Sequence, residues 1–246
     1  IGNYTFRDPA ATATAIKGHG MYAYNTLLAI GDSIFAGNYT KASAGTRSGG
    51  GLYLEGNTLT GGFLDCVIAG NHVPTNGGGV SVIDVQSPLA FYNCVFTGNR
   101  AGNAAGAMHA SGSPYVTVAN CSFDDNRTAA GEGSHILLAA AAGSSVSLHL
   151  ANDAFTRGAN GKFAIAEQNA GGLEQVLPLD SCLFDRNTNA YRSTSLGTLN
   201  TPAELNSLPG ASGNTTAASQ FVMETAGGIA GTWSAVGAYN AGTNRT

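Results

Sequence analysis

The sequence has few charged residues, 11% of its 246 positions, and a single tryptophan. Its 11 lysines and arginines form no cluster, so no patch attracts nucleic acid or an anionic membrane. No apolar run approaches the roughly 18 residues that a membrane-spanning helix needs. The residues after Ile1 do not show the pattern of a signal peptide. We expect any signal peptide to have been removed or to lie outside this sequence. We therefore expect neither nucleic acid nor membrane insertion by this segment.

Glycine, by contrast, is abundant, with 35 residues, and 43% of the chain is hydrophobic. The glycines do not recur at every third position, which excludes a collagen triple helix. Disordered chains are also rich in glycine and polar residues, but they lack apolar residues at regular intervals. The few lysines and the many threonines, asparagines and glycines favour an exported surface protein over a cytosolic enzyme.

Six segments of the sequence share one pattern. Two apolar residues at alternate positions precede a small residue, a bulky apolar residue and an asparagine, at constant spacing. The bulky position recurs every 27 to 33 residues, at Phe35, Ile68, Phe96, Phe123, Phe155 and Phe184. Alternating apolar residues predict strands, and the differences in length fall between the segments, as loops on a stacked repeat would.

An asparagine follows the bulky residue by three positions in every segment except the fifth, which has Gly158. These asparagines are Asn38, Asn71, Asn99, Asn126 and Asn187. Stacked repeats would place the bulky residues in an internal row and the asparagines in a ladder at a corner, where Asn tolerates a left-handed backbone. If the row is buried, Phe96→Ala or Phe123→Ala costs about 3–5 kcal/mol.

A glycine-rich and then apolar segment follows each corner, as in Gly77-Gly78-Gly79-Val80-Ser81-Val82, and supplies a third strand. Three short strands in roughly thirty residues make one coil, and stacking buries the apolar rows. The sequence thus predicts an all-β fold, a right-handed parallel β-helix of about six coils of three short strands, over residues 18–192. Residues 1–17 are expected to form an N-terminal cap or edge segment, and residues 193–246 a C-terminal cap, linker or subunit-contact tail.

These motifs resemble those of a known family. Phe35-Ala-Gly-Asn38, Phe96-Thr-Gly-Asn99 and Phe184-Asp-Arg-Asn187 look like the Phe-x-x-Asn repeats of polymorphic outer-membrane proteins, and Gly50-Gly51-Leu52-Tyr53 resembles their Gly-Gly-apolar motif. The resemblance covers roughly residues 18–187. It implies a β-helical passenger, export, surface exposure, and adhesion or structural display, without catalytic residues.

The four cysteines all occupy the small position of the pattern. They are Cys66, Cys94, Cys121 and Cys182. A shared repeat position favours a row of buried free thiols that fill a corner. Stacked neighbours would also lie within disulfide range, so Cys66–Cys94 or Cys94–Cys121 bonds stay open as alternatives. The spacing does not support a zinc site.

Asp124 and Asp125 are the one pair of adjacent carboxylates. In β-helical polysaccharide hydrolases such pairs act as acid and base, and Asp153 is the one further carboxylate that could join them. Gly18-His19-Gly20 resembles an element of polygalacturonases, but it precedes the aspartates here instead of following them. The pair also falls on the spacer positions of the corner, which favours a solvated corner. Four arginines follow or adjoin these corners and could form a basic stripe or a solvated face: Arg100, Arg127, Arg157 and Arg186.

These observations favour an extracellular, non-catalytic structural or adhesive protein. Its rod would present faces to a cell-surface glycan or protein ligand, or to copies of itself in a head-to-tail filament. No cofactor or metal is expected. The alternative is a polysaccharide lyase or glycoside hydrolase that uses Asp124 and Asp125 in a groove on the helix.

Overall fold

Parallel strands stacked one repeat apart dominate a computed structural model of the chain, which describes residues 4–5, 16–40, 47–140, 142–159, 161–168 and 173–217. Three strands precede the first full coil: β1 (Tyr4–Thr5), β2 (Ile16–Lys17) and β3 (Met21–Tyr24). The first coil contains β4 (Leu27–Gly31), β5 (Ile34–Ala36), β6 (Tyr39–Thr40), β7 (Arg47–Ser48) and β8 (Leu52–Glu55). The second contains β9 (Thr60–Leu64), β10 (Val67–Ala69), β11 (His72–Val73) and β12 (Val80–Ile83).

The later coils repeat this order. The third contains β13 (Leu89–Tyr92), β14 (Val95–Thr97), β15 (Arg100–Ala101) and β16 (Met108–Ser111). The fourth contains β17 (Tyr115–Ala119), β18 (Ser122–Asp124), β19 (Arg127–Thr128) and β20 (Ile136–Ala139). The fifth contains β21 (Ser145–Ala151), β22 (Ala154–Thr156) and β23 (Phe163–Glu167). The sixth contains β24 (Leu173–Asp180), β25 (Leu183–Asp185), β26 (Asn189–Ser193) and β27 (Gly197–Leu199).

Equivalent strands of successive coils form the sheets. Sheet I consists of β4, β9, β13, β17, β21 and β24, and sheet II of β5, β10, β14, β18, β22 and β25. Sheet III is short and consists of β1, β6, β11, β15 and β19. Sheet IV runs from β3 through β8, β12, β16, β20, β23 and β26 to β27, and β2 pairs separately with β7. The prediction of an all-β parallel β-helix of about six coils is confirmed, and the structure adds the two-residue strands of sheet III to each of the first four coils.

The pairing register explains the core. Phe96 pairs with Ile68 on one side and with Phe123 on the other, and Phe123 pairs with Phe155. The rings of Phe96 and Phe123 lie 4.5 Å apart and nearly parallel. Because equal positions lie directly above one another, a bulky residue repeated in sequence becomes a continuous buried row. Phe35, at the N-terminal end of this row, is only partly buried.

Left-handed residues form the corners of the coil. Between sheets I and II they include Asp65, Asn93 and Asn120, each with a positive φ. At the corner after sheet II, however, the left-handed position is the one before the ladder asparagine, such as Gly98 or Asp125. The prediction that the ladder Asn itself takes this conformation was wrong, because its side chain is used inward along the ladder and a neighbour makes the turn.

Residues after β26 turn across the C-terminal end of the coils. β27 pairs antiparallel with β26, and α1 (Pro202–Leu205) begins with a capping box formed by Thr201 and Glu204. Leu205 is fully buried and joins the core of the last coil. Ser212 and Thr215 then make single parallel bridges to Asp180 and Leu183. Residues 218–246 of the predicted tail, and most of residues 1–17, lie outside the described residues.

Candidate functional site

The asparagine ladder runs along one corner of the helix. The side-chain amide of Asn71 donates to Oδ1 of Asn99 at 3.0 Å and to the carbonyl of Phe35 at 2.8 Å. Asn99 repeats both bonds, to Oδ1 of Asn126 and to the carbonyl of Ile68. Each Oδ1 also accepts the backbone N–H of the asparagine one coil earlier. Every polar atom of these buried side chains is therefore satisfied by the neighbouring coils, which ties the coils together along the axis.

Gly158 interrupts this ladder, and His135 fills the gap. Nδ1 of His135 lies 3.1 Å from the amide nitrogen of Asn126, and Nε2 lies 3.2 Å from Oδ1 of Asn187. Since the amide can only donate and Oδ1 can only accept, the bonds require a neutral imidazole with its proton on Nε2. A Cβ built on Gly158 would lie 2.4 Å from Oγ of Ser134 and 3.3 Å from Nε2 of His135. The absence of a side chain at Gly158 thus leaves room for the imidazole of His135.

The cysteines lie in a second buried row, at the corner between sheets I and II, and all four are free thiols. Their sulfurs contact backbone carbonyls, as when Cys94 Sγ lies 3.2 Å from the oxygen of Tyr92. Burial raises the pKa of the Cys66 thiol, and that of Cys182 well above its usual range. The row is a packing feature of the kind that the shared repeat position predicts, and the alternative disulfides are not formed.

Asp153 occupies the cysteine position of the fifth coil and is completely buried. Its carboxylate accepts the backbone N–H of Cys121 at 2.7 Å and that of Ala151 at 3.2 Å. Burial raises the pKa of Asp153 well above its usual range, although both hydrogen bonds act in the opposite direction. Asn214 accepts the N–H of Cys182 in the same way at 3.0 Å, so it ends this row with a neutral side chain.

Asp124 and Asp125 point to different partners. Asp124 is buried and accepts from Oγ1 of Thr156 at 2.7 Å and from Nε of Arg157 at 2.8 Å, with a further short contact to the arginine Nη2. Asp125 accepts two hydrogen bonds from the more exposed Arg127, at 2.8 and 2.6 Å. Each carboxylate forms an ion pair with its own guanidinium, and these bonds hold the two side chains in different directions.

The structure does not bring Asp153 to this pair. Asp124 lies on the outer side of sheet II, paired in register with Thr156, whereas Asp153 lies in the cysteine row. The predicted stacking of arginines is found at Arg100 and Arg127, which are neighbours in sheet III. Arg127 and Arg157, however, form ion pairs with Asp125 and Asp124. The stripe of arginines therefore alternates with negative charges and has little net positive charge.

The outer side of sheet I carries an apolar groove. Ala29, Gly62 and Ala90 lie in register on it, beside a second row formed by Gly31, Leu64 and Tyr92. Because glycine and alanine have little or no side chain, a groove of about 340 Å³ lies between these rows. Leu27, on the same strand as Ala29 and Gly31, is 74% exposed, and Tyr115, one coil beyond Tyr92, is 45% exposed.

The sequence did not reveal that His109 and His135 belong to the buried framework of the helix. Burial lowers the pKa of His109 and of His135 to about 4. The sequence did contain a signal for the role of His135. The equivalent positions in the three preceding coils hold the small residues Gly51, Gly79 and Ala107. The large His135 occurs just before the coil in which Gly158 replaces the ladder asparagine. Within the described residues no group of three or more His, Cys, Asp or Glu could hold a metal ion.

Comparison with family models, with curated proteins and with solved structures found no match to this chain. In the part of the chain that the structure describes, no helix has the length and apolar character needed to cross a membrane.

Proposed function

We propose that this protein is an extracellular, non-catalytic rod that displays a binding face to a glycan or protein at a cell surface. The observation that carries the proposal is that the ladder amides, the imidazole of His135 and the corner carboxylates are all bonded to other groups of the protein. A site for acid and base chemistry needs groups that are free to exchange protons with a substrate.

The rod supports display because its stiffness is built along the axis. Parallel strand pairing, stacked rings and side-chain amide bonds all connect one coil to the next. The phenylalanine row and the asparagine ladder are also the features in which the sequence resembles the passengers of polymorphic outer-membrane proteins. That resemblance supports export and surface exposure.

The outer side of sheet I is the face that we assign to binding. Tyr92 and Tyr115 are exposed on neighbouring coils, and the corner residues Asn93 and Asn120 stand at the ends of the same strands. Tyrosine rings have an apolar body and a polar tip, which suits the mixed surface of a sugar. A glycan is therefore the ligand that this face fits best.

A glycan array and binding to immobilised polysaccharides test the proposal. Tyr92→Ala together with Tyr115→Ala should abolish binding, because the two rings supply the exposed aromatic surface. Leu196→Ala is the matched control, since Leu196 is also a large exposed side chain but lies after β26, away from this face. Binding that survives in the tyrosine variant, or that is lost equally in the control, would contradict the assignment.

The alternative function is polysaccharide cleavage at Asp124 and Asp125. A screen of acidic and neutral polysaccharides, with Asp124→Ala as the comparison, decides between the two. Reproducible cleavage that disappears in Asp124→Ala would replace the proposal of a non-catalytic rod. Because Asp124 is buried against Arg157, the variant must be shown to be folded by circular dichroism before the comparison counts.

Head-to-tail assembly into filaments remains a prediction. Such stacking needs open strand edges at both ends of the rod. At the C-terminal end, β27 and α1 lie against the last coil. They cover part of the surface on which another copy would stack, which disfavours head-to-tail assembly. Electron microscopy of the purified protein is the direct test, and extended filaments would support the prediction.

A further inference from the structure

We infer that the outer side of sheet III holds a second binding site, in which Arg100 takes the carboxylate of an acidic sugar. This site lies on a different sheet from the exposed tyrosines of sheet I, and it does not rest on the glycan binding proposed for them. It rests on an arginine that has no aspartate, on open space where that aspartate would stand, and on two stacked rings beside it.

The first observation is the charge of Arg100. The other three arginines of the stripe form ion pairs with aspartates: Arg127 with Asp125, Arg157 with Asp124 and Arg186 with Asp185. Arg100 is exposed, and no acidic side chain in the described part of the chain pairs with it. It lies in β15, between β11 and β19, so its surroundings are set by neighbouring coils and not by an end of the rod. Its guanidinium is therefore available to an anion from outside.

The second observation is the residue that stands where the anion would be. Arg127 bonds to Asp125, two positions earlier, with Oδ1 at 2.8 Å from Nε and 2.6 Å from Nη2. Arg100 is in register with Arg127, which makes Gly98 the equivalent of Asp125. Both residues have a left-handed backbone, with φ of 62° at Gly98 and 48° at Asp125. The fourth coil thus supplies a carboxylate to its arginine, and the third coil supplies none.

The third observation is that this position is open. Apart from its chain neighbours, a Cβ built on Gly98 would have no heavy atom nearer than 3.9 Å. A Cβ built on Gly70, the equivalent residue of the second coil, would have none within 4 Å, and Gly70 is exposed. A carboxylate that enters from solvent can therefore repeat the bonds of Asp125, because the guanidinium fork of Arg100 fits a carboxylate in the same way.

Two stacked rings lie beside this space. His72 is in register with Arg100, and Tyr39 is in register with His72. The two rings are 5.0 Å apart and inclined by 18°, and both side chains are partly exposed. Since adjacent strands are about 4.8 Å apart, a sugar whose carboxylate lies over Gly98 places its ring over Gly70, next to the imidazole. Rings with apolar faces and polar tips suit such a sugar.

These features together select a uronic acid unit of a polysaccharide. It combines one carboxylate with a sugar ring, and the site offers one unpaired guanidinium next to an aromatic wall. A carboxylate is favoured over a sulfate or a phosphate because the group that it replaces is the carboxylate of Asp125 in the next coil.

Isothermal titration of the full chain with a short oligomer of glucuronic acid tests the inference. Low ionic strength is used because it screens exposed charges least. Arg100→Ala should raise the Kd at least about tenfold, the effect of losing one charge-assisted pair of hydrogen bonds. The methyl ester of the same oligomer should bind the wild-type chain at least about tenfold more weakly, since it keeps the rings and lacks the charge. Arg186→Ala is the matched control, because it removes an arginine three coils away whose aspartate is present.

Two exchanges at the corner test the position of the carboxylate. Gly98→Asp should supply Arg100 with an internal partner and weaken binding of the oligomer at least about tenfold. The fold should tolerate it, because Asp125 has the same left-handed backbone. Asp125→Gly should instead tighten binding, since it makes Arg127 available to a second carboxylate.

Several results would overturn the inference. They are a wild-type chain that does not bind the oligomer, equal binding of the methyl ester, and a Kd that Arg100→Ala or Gly98→Asp leaves unchanged. An equal loss in Arg186→Ala would show that net charge, and not this site, attracts the oligomer. Tighter binding of inorganic phosphate or of a sulfated oligosaccharide would contradict the assignment to a carboxylate.

Discussion

His135 takes the place of a missing asparagine, with its Nε2 3.2 Å from Oδ1 of Asn187. The imidazole reaches across from the segment before β20 into the level at which Gly158 has no side chain. An exchange of a small and a large residue between two positions 23 residues apart has thus preserved the hydrogen bonds of the ladder.

Removing the imidazole should reveal this exchange. His135→Ala leaves the amide of Asn126 and Oδ1 of Asn187 buried without this partner, so we expect a loss of about 2–4 kcal/mol in unfolding free energy. Denaturant unfolding measures the loss, and His149→Ala, on the outer side of sheet I, should cost less than about 1 kcal/mol.

Rebuilding the ladder supplies the complementary test. Gly158→Asn alone should destabilise the protein, because its Cβ meets Ser134, Asn187 and His135. Combined with Ser134→Gly and His135→Ala, it recreates the arrangement of Gly106, Ala107 and Asn126 in the preceding coil. The combined variant should be more stable than His135→Ala by about 1–3 kcal/mol. If the losses in unfolding free energy caused by Gly158→Asn and by His135→Ala simply add in the combined variant, the imidazole does not substitute for the asparagine.

Stability should fall in mild acid. The pKa of His109 and that of His135 are about 4 in the folded protein, lowered by burial from 6.5. The unfolded chain therefore binds more protons between these values, and each histidine withdraws roughly 3 kcal/mol as the pH falls from about 6.5 to below 4. The raised pKa of Asp153 acts oppositely, since it destabilises the fold as the pH rises above 3.8. Unfolding free energies measured from pH 4 to 7 should rise with pH, with a shallower slope in His135→Ala.

The two corner ion pairs should differ in strength. Arg157→Ala leaves the buried Asp124 without its guanidinium, and we expect a cost of about 2 kcal/mol. Arg127→Ala removes the partner of the more exposed Asp125 and should cost less than about 1 kcal/mol. Equal losses in denaturant unfolding would mean that burial does not separate the two pairs.

The thiols should be protected until the protein unfolds. All four cysteines are buried, and reaction requires an accessible thiolate. Ellman's reagent should therefore label none of them in the native state and all of them in denaturant. Rapid labelling of the native protein would show that the cysteine row opens. An introduced surface cysteine, Tyr115→Cys, is the positive control, because its position is exposed.

Much of the fold could be read from particular residues. The equal spacing from Cys94 to Phe96 to Asn99, repeated in other segments, predicts the inward row and the corner, and the register of Phe96 with Phe123 is that of the prediction. The candidate site was less accessible. The sequence favoured a solvated corner for the adjacent aspartates, with a shared catalytic role as the alternative. In the structure Asp124 is buried, and the two side chains bond to Arg157 and Arg127, which lie at different levels of the helix.

The sequence by itself determined the stacking, because a short repeat with a buried row can satisfy its apolar residues in one way, by placing each coil on the next. Tertiary structure decided what the irregular positions do. Whether Gly158 breaks the ladder depends on His135, and whether the carboxylate of Asp124 has a charged partner depends on Arg157. These are contacts between coils or between chain segments, and their geometry is not encoded in the local pattern of residues.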